Sequence, residues 1–342
     1  MKGLSLLEPG TLRAIDLPEA QPPGPGEALV RVHRVGVCGT DLHAFRGKQP
    51  FFTYPRILGH ELGVEVLSTG PDVTRVAPGD RCAVEPYLNC GNCITCRRGK
   101  SNCCTDLKVL GVHSDGGQRE RIIVPAAKLH PSRVLSFDQL ALVETLGIGA
   151  HAVQRAQLTA GETVAVIGTG PVGLAVIQFA LAAETRVIAL DINQQRLAFC
   201  ADQLGLPPAD LVDTTVTPDV PHRLAALTGG DRPTAVFDAT GNPASMAAAF
   251  NFPAAGGRLV FVGLFPGEIS FNDPDFHRRE LTLLASRNAR PEDFGHIIRL
   301  VEAGRIDTTR WITHRADLAE VPDQFAGWTD PSSGVLKAMI SL

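Results

Sequence analysis

The chain has no long hydrophobic run, no basic tract, no internal repeat and no low-complexity stretch, and each absence removes a class of protein. The longest apolar segment, about Val172–Ala183, contains Gly173 and Gln178 and is too short to cross a bilayer. Met1-Lys2-Gly3-Leu4 opens without a secretory hydrophobic core, so a reducing cytoplasm is the expected compartment, with no membrane partner. A net charge of −4 without a basic tract offers nothing to hold a polyanion, which argues against nucleic acid. Apolar material, by contrast, is plentiful: 44% of the 342 residues are hydrophobic and 20% charged, which suggests two soluble domains. Eight cysteines in a reducing compartment need a purpose other than disulfides, and metal binding is the usual one.

The stretch from Cys38 to Glu61 gathers the chemistry. It reads C-G-T-D-L-H at 38–43 and, beyond an aromatic- and proline-containing loop, G-H-E at 59–61. Cys38, His60 and Glu61 offer thiolate, imidazole and carboxylate, the ligand types that suit Zn²⁺. Thr40 and His43 add a hydroxyl and an imidazole able to carry a proton away from whatever the metal activates. The surrounding sequence reads as short strands: Ala28–Val35 alternates apolar and polar residues, and Pro22-Pro23-Gly24-Pro25-Gly26 and Ala77-Pro78-Gly79-Asp80 are turns. The first third is therefore expected to be an all-β, barrel-like domain.

Cys90-x2-Cys93-x2-Cys96-x7-Cys104 follows in a loop-like setting, with Gly91 and Gly99 easing the turns. Close-spaced thiolates of this kind form a closed structural zinc site, which leaves no open position for catalysis. Spacing alone leaves Cys103 or Cys104 as the fourth ligand. Cys82 and Cys200 read as packed core thiols.

From Thr163 the texture changes. Thr163–Ile167 is a short apolar strand that runs into Gly168-Thr169-Gly170-Pro171-Val172-Gly173 and then an apolar helix to about Ala183. A second strand, Arg186–Leu190, ends in Asp191, 18 positions after Gly173. This is G-x-G-x-x-G in its required strand–turn–helix context, with the acid that follows it. The glycines turn the chain, admit the pyrophosphate and let helix and strand pack closely, leaving the phosphates at the helix N-terminus. Asp191 would accept from the adenosine ribose hydroxyls and repel a 2′-phosphate, which favours NAD over NADP. Strands near Ala235–Phe237, Arg258–Val262 and Leu281–Leu284, with helix-like Ala244–Phe250, continue the βα alternation. After a helix around Pro291–Ala303, the closing Val335–Ile340 reads as a strand able to pair back onto the first domain.

Taken together, C-G-T-D-x-H, G-H-E, the four-cysteine run and G-T-G-P-V-G followed by Asp191 resemble, end to end, the zinc-dependent medium-chain alcohol and polyol dehydrogenases. The resemblance implies an α/β protein: a GroES-like, β-rich catalytic domain over 1–150 and 287–342, with the zinc lobe at 88–106, and a doubly wound Rossmann NAD-binding domain over 151–286. It makes Cys104 the fourth lobe ligand, Cys38 and His60 ligands of a catalytic zinc, and Asp41 the partner that orients His60. Glu144, in V-E-T-L-G-I-G-A-H, matches the glutamate that polyol dehydrogenases present where simple alcohol dehydrogenases have cysteine; it is expected as third ligand or as holder of a metal-bound water, exchanging with Glu61. Ile148 is expected to back the nicotinamide, and Arg196 joins Gly168, Gly170, Pro171, Val172, Gly173 and Asp191 in the cofactor set.

Two departures stand out. The family usually has glycine three residues after the glutamate of G-H-E, where this chain has Val64, which questions the local backbone path. Where polyol enzymes often show G-G-F-A-E-Y, this chain has Gly116-Gly117-Gln118-Arg119-Glu120-Arg121. Gln118 and Arg119, with Arg287 and Asn288, point to a polyhydroxylated or carboxylate-bearing substrate such as a sugar acid. The expected reaction is hydride transfer from a secondary alcohol of a polyol, sugar or sugar acid to NAD⁺, with one catalytic and one structural zinc per chain, in a homodimer or homotetramer. The competing readings are a simple alcohol or amino-alcohol (threonine-type) dehydrogenase, a zinc-free quinone reductase and a non-catalytic NAD-binding sensor.

Overall fold

The alternation at Ala28–Val35 becomes one long strand, Glu27–Val37, whose inward positions Ala28, Val30, Val32 and Val35 are all buried. It pairs antiparallel with Glu61–Thr69, with Arg121–Pro125 and, at its far end, with Lys337–Ser341 near the end of the chain (Ile340 opposite Val35). The computed structural model describes residues 1–49 and 52–342. They fall into two units: Met1–Thr145 with Ala289–Leu342, and Leu146–Asn288. The sequence places these divisions a few residues away, at 150/151 and 286/287.

The first unit is built on a seven-stranded sheet in the order Ile312–Asp317, Lys337–Ser341, Glu27–Val37, Glu61–Thr69, Arg81–Val84 and Leu129–Pro131, with Arg121–Pro125 as a branch on Glu27–Val37. Its core packs Leu4, Leu6, Val30, Leu62, Val64, Leu129 and Phe325. Val64 is fully buried, opposite Val32 and Cys82 in the sheet, so the backbone continues as a strand where the resemblance implies glycine, with a register shift beside it between Val32 and Arg34. The close approach falls one residue earlier. A Cβ on Gly63 would stand 2.1 Å from the carbonyl oxygen of Phe137, the residue that opens helix Phe137–Ala156. Gly63→Ala is therefore expected to cost about 1–3 kcal/mol, the usual range for overpacking. Thermal unfolding measures this, and an unchanged midpoint would show that the helix start can yield.

The second unit is a parallel sheet of six strands in the order Leu211–Asp213, Arg186–Asp191, Thr163–Ile167, Ala235–Asp238, Arg258–Phe261 and Thr282–Ala285. This is the doubly wound order, and the glycine turn follows the strand at which the order reverses, where such sheets bind ligands. Val164, Ala165, Val166 and Ile167 are buried, as a two-sided sheet requires. The edge strand Leu211–Asp213 is not apparent from the sequence, because three residues ending in an aspartate carry no periodicity. Ala244–Phe250 divides into an α-helix, Pro243–Ala248, and a 3₁₀ turn, Ala249–Asn251. Among the described residues no helix is long and apolar enough to cross a membrane.

Candidate functional site

Cys38 caps the helix Gly39–Phe45, and the cap ties two conspicuous residues together: the Cys38 amide donates to Asp41 Oδ2 at 2.9 Å. The other Asp41 oxygen stands 3.7 Å from His60 Nδ1. Neither of those two atoms has a hydrogen-bond partner among the described residues, although both residues are buried. His60 immediately precedes the strand Glu61–Thr69 that Glu61 opens, and one ligand atom from each of Cys38, His60 and Glu61 lies within 4.8 Å of the other two. Thr40 is partly buried on the first turn of the capped helix, and His43 is exposed on its last.

Lys337, which sequence reasoning overlooked, reaches this site from the last strand. Its ammonium donates to both Glu61 oxygens, at 2.7 and 2.8 Å, and lies near the Val37 carbonyl (3.2 Å) and Thr145 Oγ1 (3.3 Å). A lone lysine in the otherwise apolar run Val335–Ile340 was the available signal. Tyr87 was also missed: its hydroxyl donates to Glu144 Oε1 inside the protein, and no spacing rule connects the two. Glu144 is buried on helix Phe137–Ala156, outside the three-residue donor group.

The electrostatics point to a cation. Burial raises the Asp41 and Glu144 carboxyls against the opposing pull of His60. Burial alone would lower His60, yet Asp41 and the Cys38 sulfur overcome it and raise it well above its ordinary value. Lys337 likewise stays charged despite burial because Glu61 and Cys38 surround it. A pocket of thiol, imidazole and carboxylates with one fixed positive charge takes up protons wherever it can. A divalent ion satisfies the same demand, and this donor set fits zinc.

The second cluster is sharper. The sulfurs of Cys90, Cys93, Cys96 and Cys104 gather, whereas Cys103 is exposed and does not join them. Neighbouring sulfurs are 3.4 Å (Cys93–Cys96), 3.5 Å (Cys90–Cys104) and 3.9 Å (Cys93–Cys104) apart. The edge of a tetrahedron of Zn–S bonds is about 3.8 Å, so four thiolates here fit zinc without rearrangement. The Thr95 hydroxyl, 3.1 Å from Cys93, and nearby backbone groups push that thiol down to about 4.

In the nucleotide-binding unit, Gly168 takes φ +87°, and a Cβ on Gly173 would stand 1.7 Å from the Gly168 oxygen, so neither position accepts a side chain easily. Pro171 and Val172 open the helix Pro171–Ala182, with Gly170 as its cap. Asp191 is held firmly: one oxygen accepts from the Thr169 amide (2.6 Å) and hydroxyl (2.8 Å), the other from the Asn193 amide (2.9 Å). Arg196 brings a guanidinium nitrogen to 3.5 Å from where a Gly170 side chain would begin, and Ile148 is half-buried.

The expected substrate residues are divided between the two units. Gln118 is fully buried, and both its amide oxygen and its nitrogen lack partners among the described residues. Arg119 lies next to Gly3 and spends its guanidinium on the carbonyls of Gly116 (3.1 Å) and Asp115 (3.4 Å), bracing its own loop. Arg287 is exposed and Asn288 has φ +54°, and both belong to the nucleotide-binding unit rather than the catalytic one.

Comparison with known proteins gives the family. Residues 24–134 match the alcohol dehydrogenase GroES-like domain, and residues 171–303 match the zinc-binding dehydrogenase domain. The chain is 42% identical to the L-galactonate-5-dehydrogenase of Escherichia coli, over 89% of this chain and 88% of that protein. Among solved structures, an E. coli alcohol dehydrogenase, rspB, complexed with NADH superposes with a TM-score of 0.92 at 29% identity, covering 100% of this chain and 99% of that one. A zinc-binding dehydrogenase of Sinorhizobium meliloti bound to NADP gives 0.90 at 30% identity, with the same coverage. Motifs, fold and relatives thus converge, and the chain belongs to the zinc-type medium-chain alcohol and polyol dehydrogenase family.

Proposed function

We propose that the protein oxidises a secondary alcohol of a sugar acid or polyol with NAD⁺, using a catalytic zinc at Cys38, His60 and a carboxylate and a structural zinc in the four-cysteine lobe. The observation that carries this reading is the buried Cys38–His60–Glu61 donor group, with one ligand atom from each residue within 4.8 Å of the other two. Held there, zinc would act as a Lewis acid that lowers the pKa of a substrate hydroxyl. Asp41 fixes Cys38 through its amide and stands 3.7 Å from His60 Nδ1, where it would orient that imidazole. Glu61 is committed through both oxygens to Lys337, which favours Glu144 as the resting third donor and leaves Glu61 to exchange with it. Thr40 would accept the hydroxyl proton and His43, exposed on the same helix, would release it to solvent.

For the cofactor, the buried anion Asp191 at the end of its strand opposes a 2′-phosphate and supports NAD over NADP. For the substrate, the unpaired amide of buried Gln118 supports a polyhydroxylated ligand, since unsatisfied buried donors and acceptors are costly. The similarity to an L-galactonate-5-dehydrogenase favours an aldonic acid. Arg119, occupied by its own loop, is dropped from the contacts expected to bind the substrate.

The test is NAD⁺ reduction by zinc-replete protein across aldonic acids, polyols, aldoses, simple alcohols and threonine, with NADP⁺ in parallel. The fastest rate is expected with an aldonic acid and NAD⁺. Activity confined to threonine or simple alcohols would refute the substrate class. Tight NAD⁺ binding without any turnover would favour a sensor.

A further inference from the structure

Tyr87 occupies a singular place in the catalytic unit. Its two-residue strand, Tyr87–Leu88, pairs antiparallel with Lys108–Val109, so these strands form the stem that closes the cysteine lobe at its base. The backbone on both sides of Tyr87 is bolted down. Two residues after it, Asn89 accepts from Lys128 Nζ at 2.8 Å and donates to Cys96 Sγ at 3.6 Å. Two residues before it, buried Glu85 pairs with the same Lys128 and meets His130 Nε2 at 3.1 Å. The Tyr87 ring is 3% exposed and meets Phe294 edge-on at 6.4 Å between centroids. From this fixed post its hydroxyl donates to Glu144 Oε1.

We infer that Tyr87 is the positioning residue for Glu144: by holding Oε1 it leaves Oε2 to face the Cys38–His60 site and anchors the catalytic carboxylate to the structural lobe. The inference rests on the proposed role of Glu144 in the metal site. A buried carboxylate turns about its last torsions unless one oxygen is fixed, and a donor that fixes it preorganises the other oxygen for a metal. Supplying that donor from the stem is structurally cheap, because the ion network already holds the backbone beside it.

Co²⁺-substituted protein tests the inference through its visible absorption and through chelator competition, with turnover measured alongside. Tyr87→Phe removes one hydroxyl and keeps the ring packing, and a melting curve checks that it folds. Its metal retention at the Cys38–His60 site is expected to fall about tenfold, as for other partners of ligating side chains, with a shifted Co²⁺ band and unchanged lobe occupancy. Glu144→Gln should produce a similar shift, and the double variant should be no worse than Glu144→Gln alone, because both changes remove one interaction. If Glu144→Gln alters the spectrum while Tyr87→Phe leaves spectrum and affinity untouched, the Tyr87 role is wrong and the Glu144 reading survives. Additive losses in the double variant would also overturn the Tyr87 role. A silent Glu144→Gln would overturn both.

Discussion

Cys38→Ser is expected to lower NAD⁺-dependent turnover by about three orders of magnitude or more, because a Lewis acid contributes several kcal/mol and each 1.4 kcal/mol is a factor of ten. The substitution is a clean probe. The capping box at this position pairs the residue 38 amide with the Asp41 carboxylate and the residue 38 side chain with the Asp41 backbone amide; the first pair remains, and a serine hydroxyl can accept in place of the sulfur. The loss should therefore appear in metal content before it appears in folding: elemental analysis should find the lobe metal retained and the catalytic one gone. His60→Ala should behave alike, while leaving Asp41 buried with still less compensation. Full turnover by a Cys38→Ser sample shown to lack the catalytic metal would sink the proposed chemistry. Retention of both metals would sink the assignment of Cys38.

Lys337→Met is expected to be the most destabilising single change near the site. It leaves the Glu61 carboxylate buried without the ammonium that contacts both of its oxygens. Removing one partner of a buried ion pair typically costs about 3–5 kcal/mol, since the remaining charge can neither ionise freely nor reach water. Urea unfolding of metal-loaded protein measures the loss. The paired change Lys337→Met with Glu61→Gln should recover most of it, because the Glu61 charge is then removed together with its partner. Equal destabilisation in the single and double variants would show that Lys337 acts through packing alone. The change also bears on function: without Lys337, Glu61 is released beside Cys38 and His60 and the pocket loses its fixed positive charge, so the single variant, where it folds, should hold its catalytic metal at least as tightly.

Much of the site was legible before any coordinates. Candidate metal donors and glycine turns depend on residue type and short spacing, which is why Cys38, the His60–Glu61 pair, the four lobe cysteines, the glycine turn and Asp191 could be named directly as candidates. The lobe geometry also separates Cys104 from Cys103, a choice that spacing left open and the family resemblance made. The strand at the C-terminal end was readable for the same reason, since alternation and apolar content are local properties.

Long-range pairing was not legible, because it is fixed by which strands become neighbours. Lys337 meets Glu61 across 276 residues of sequence and Tyr87 meets Glu144 across 57, and neither separation carries a signature. Arg119 shows the same limit from the other side: a free arginine and one that braces its own loop look identical in sequence, and only its bonds to Gly116 and Asp115 separate them. The sequence by itself thus determined the donor types, the nucleotide motif and the family. Tertiary structure decided how each buried charge is balanced, because desolvation and pairing depend on neighbours that the chain supplies from distant strands.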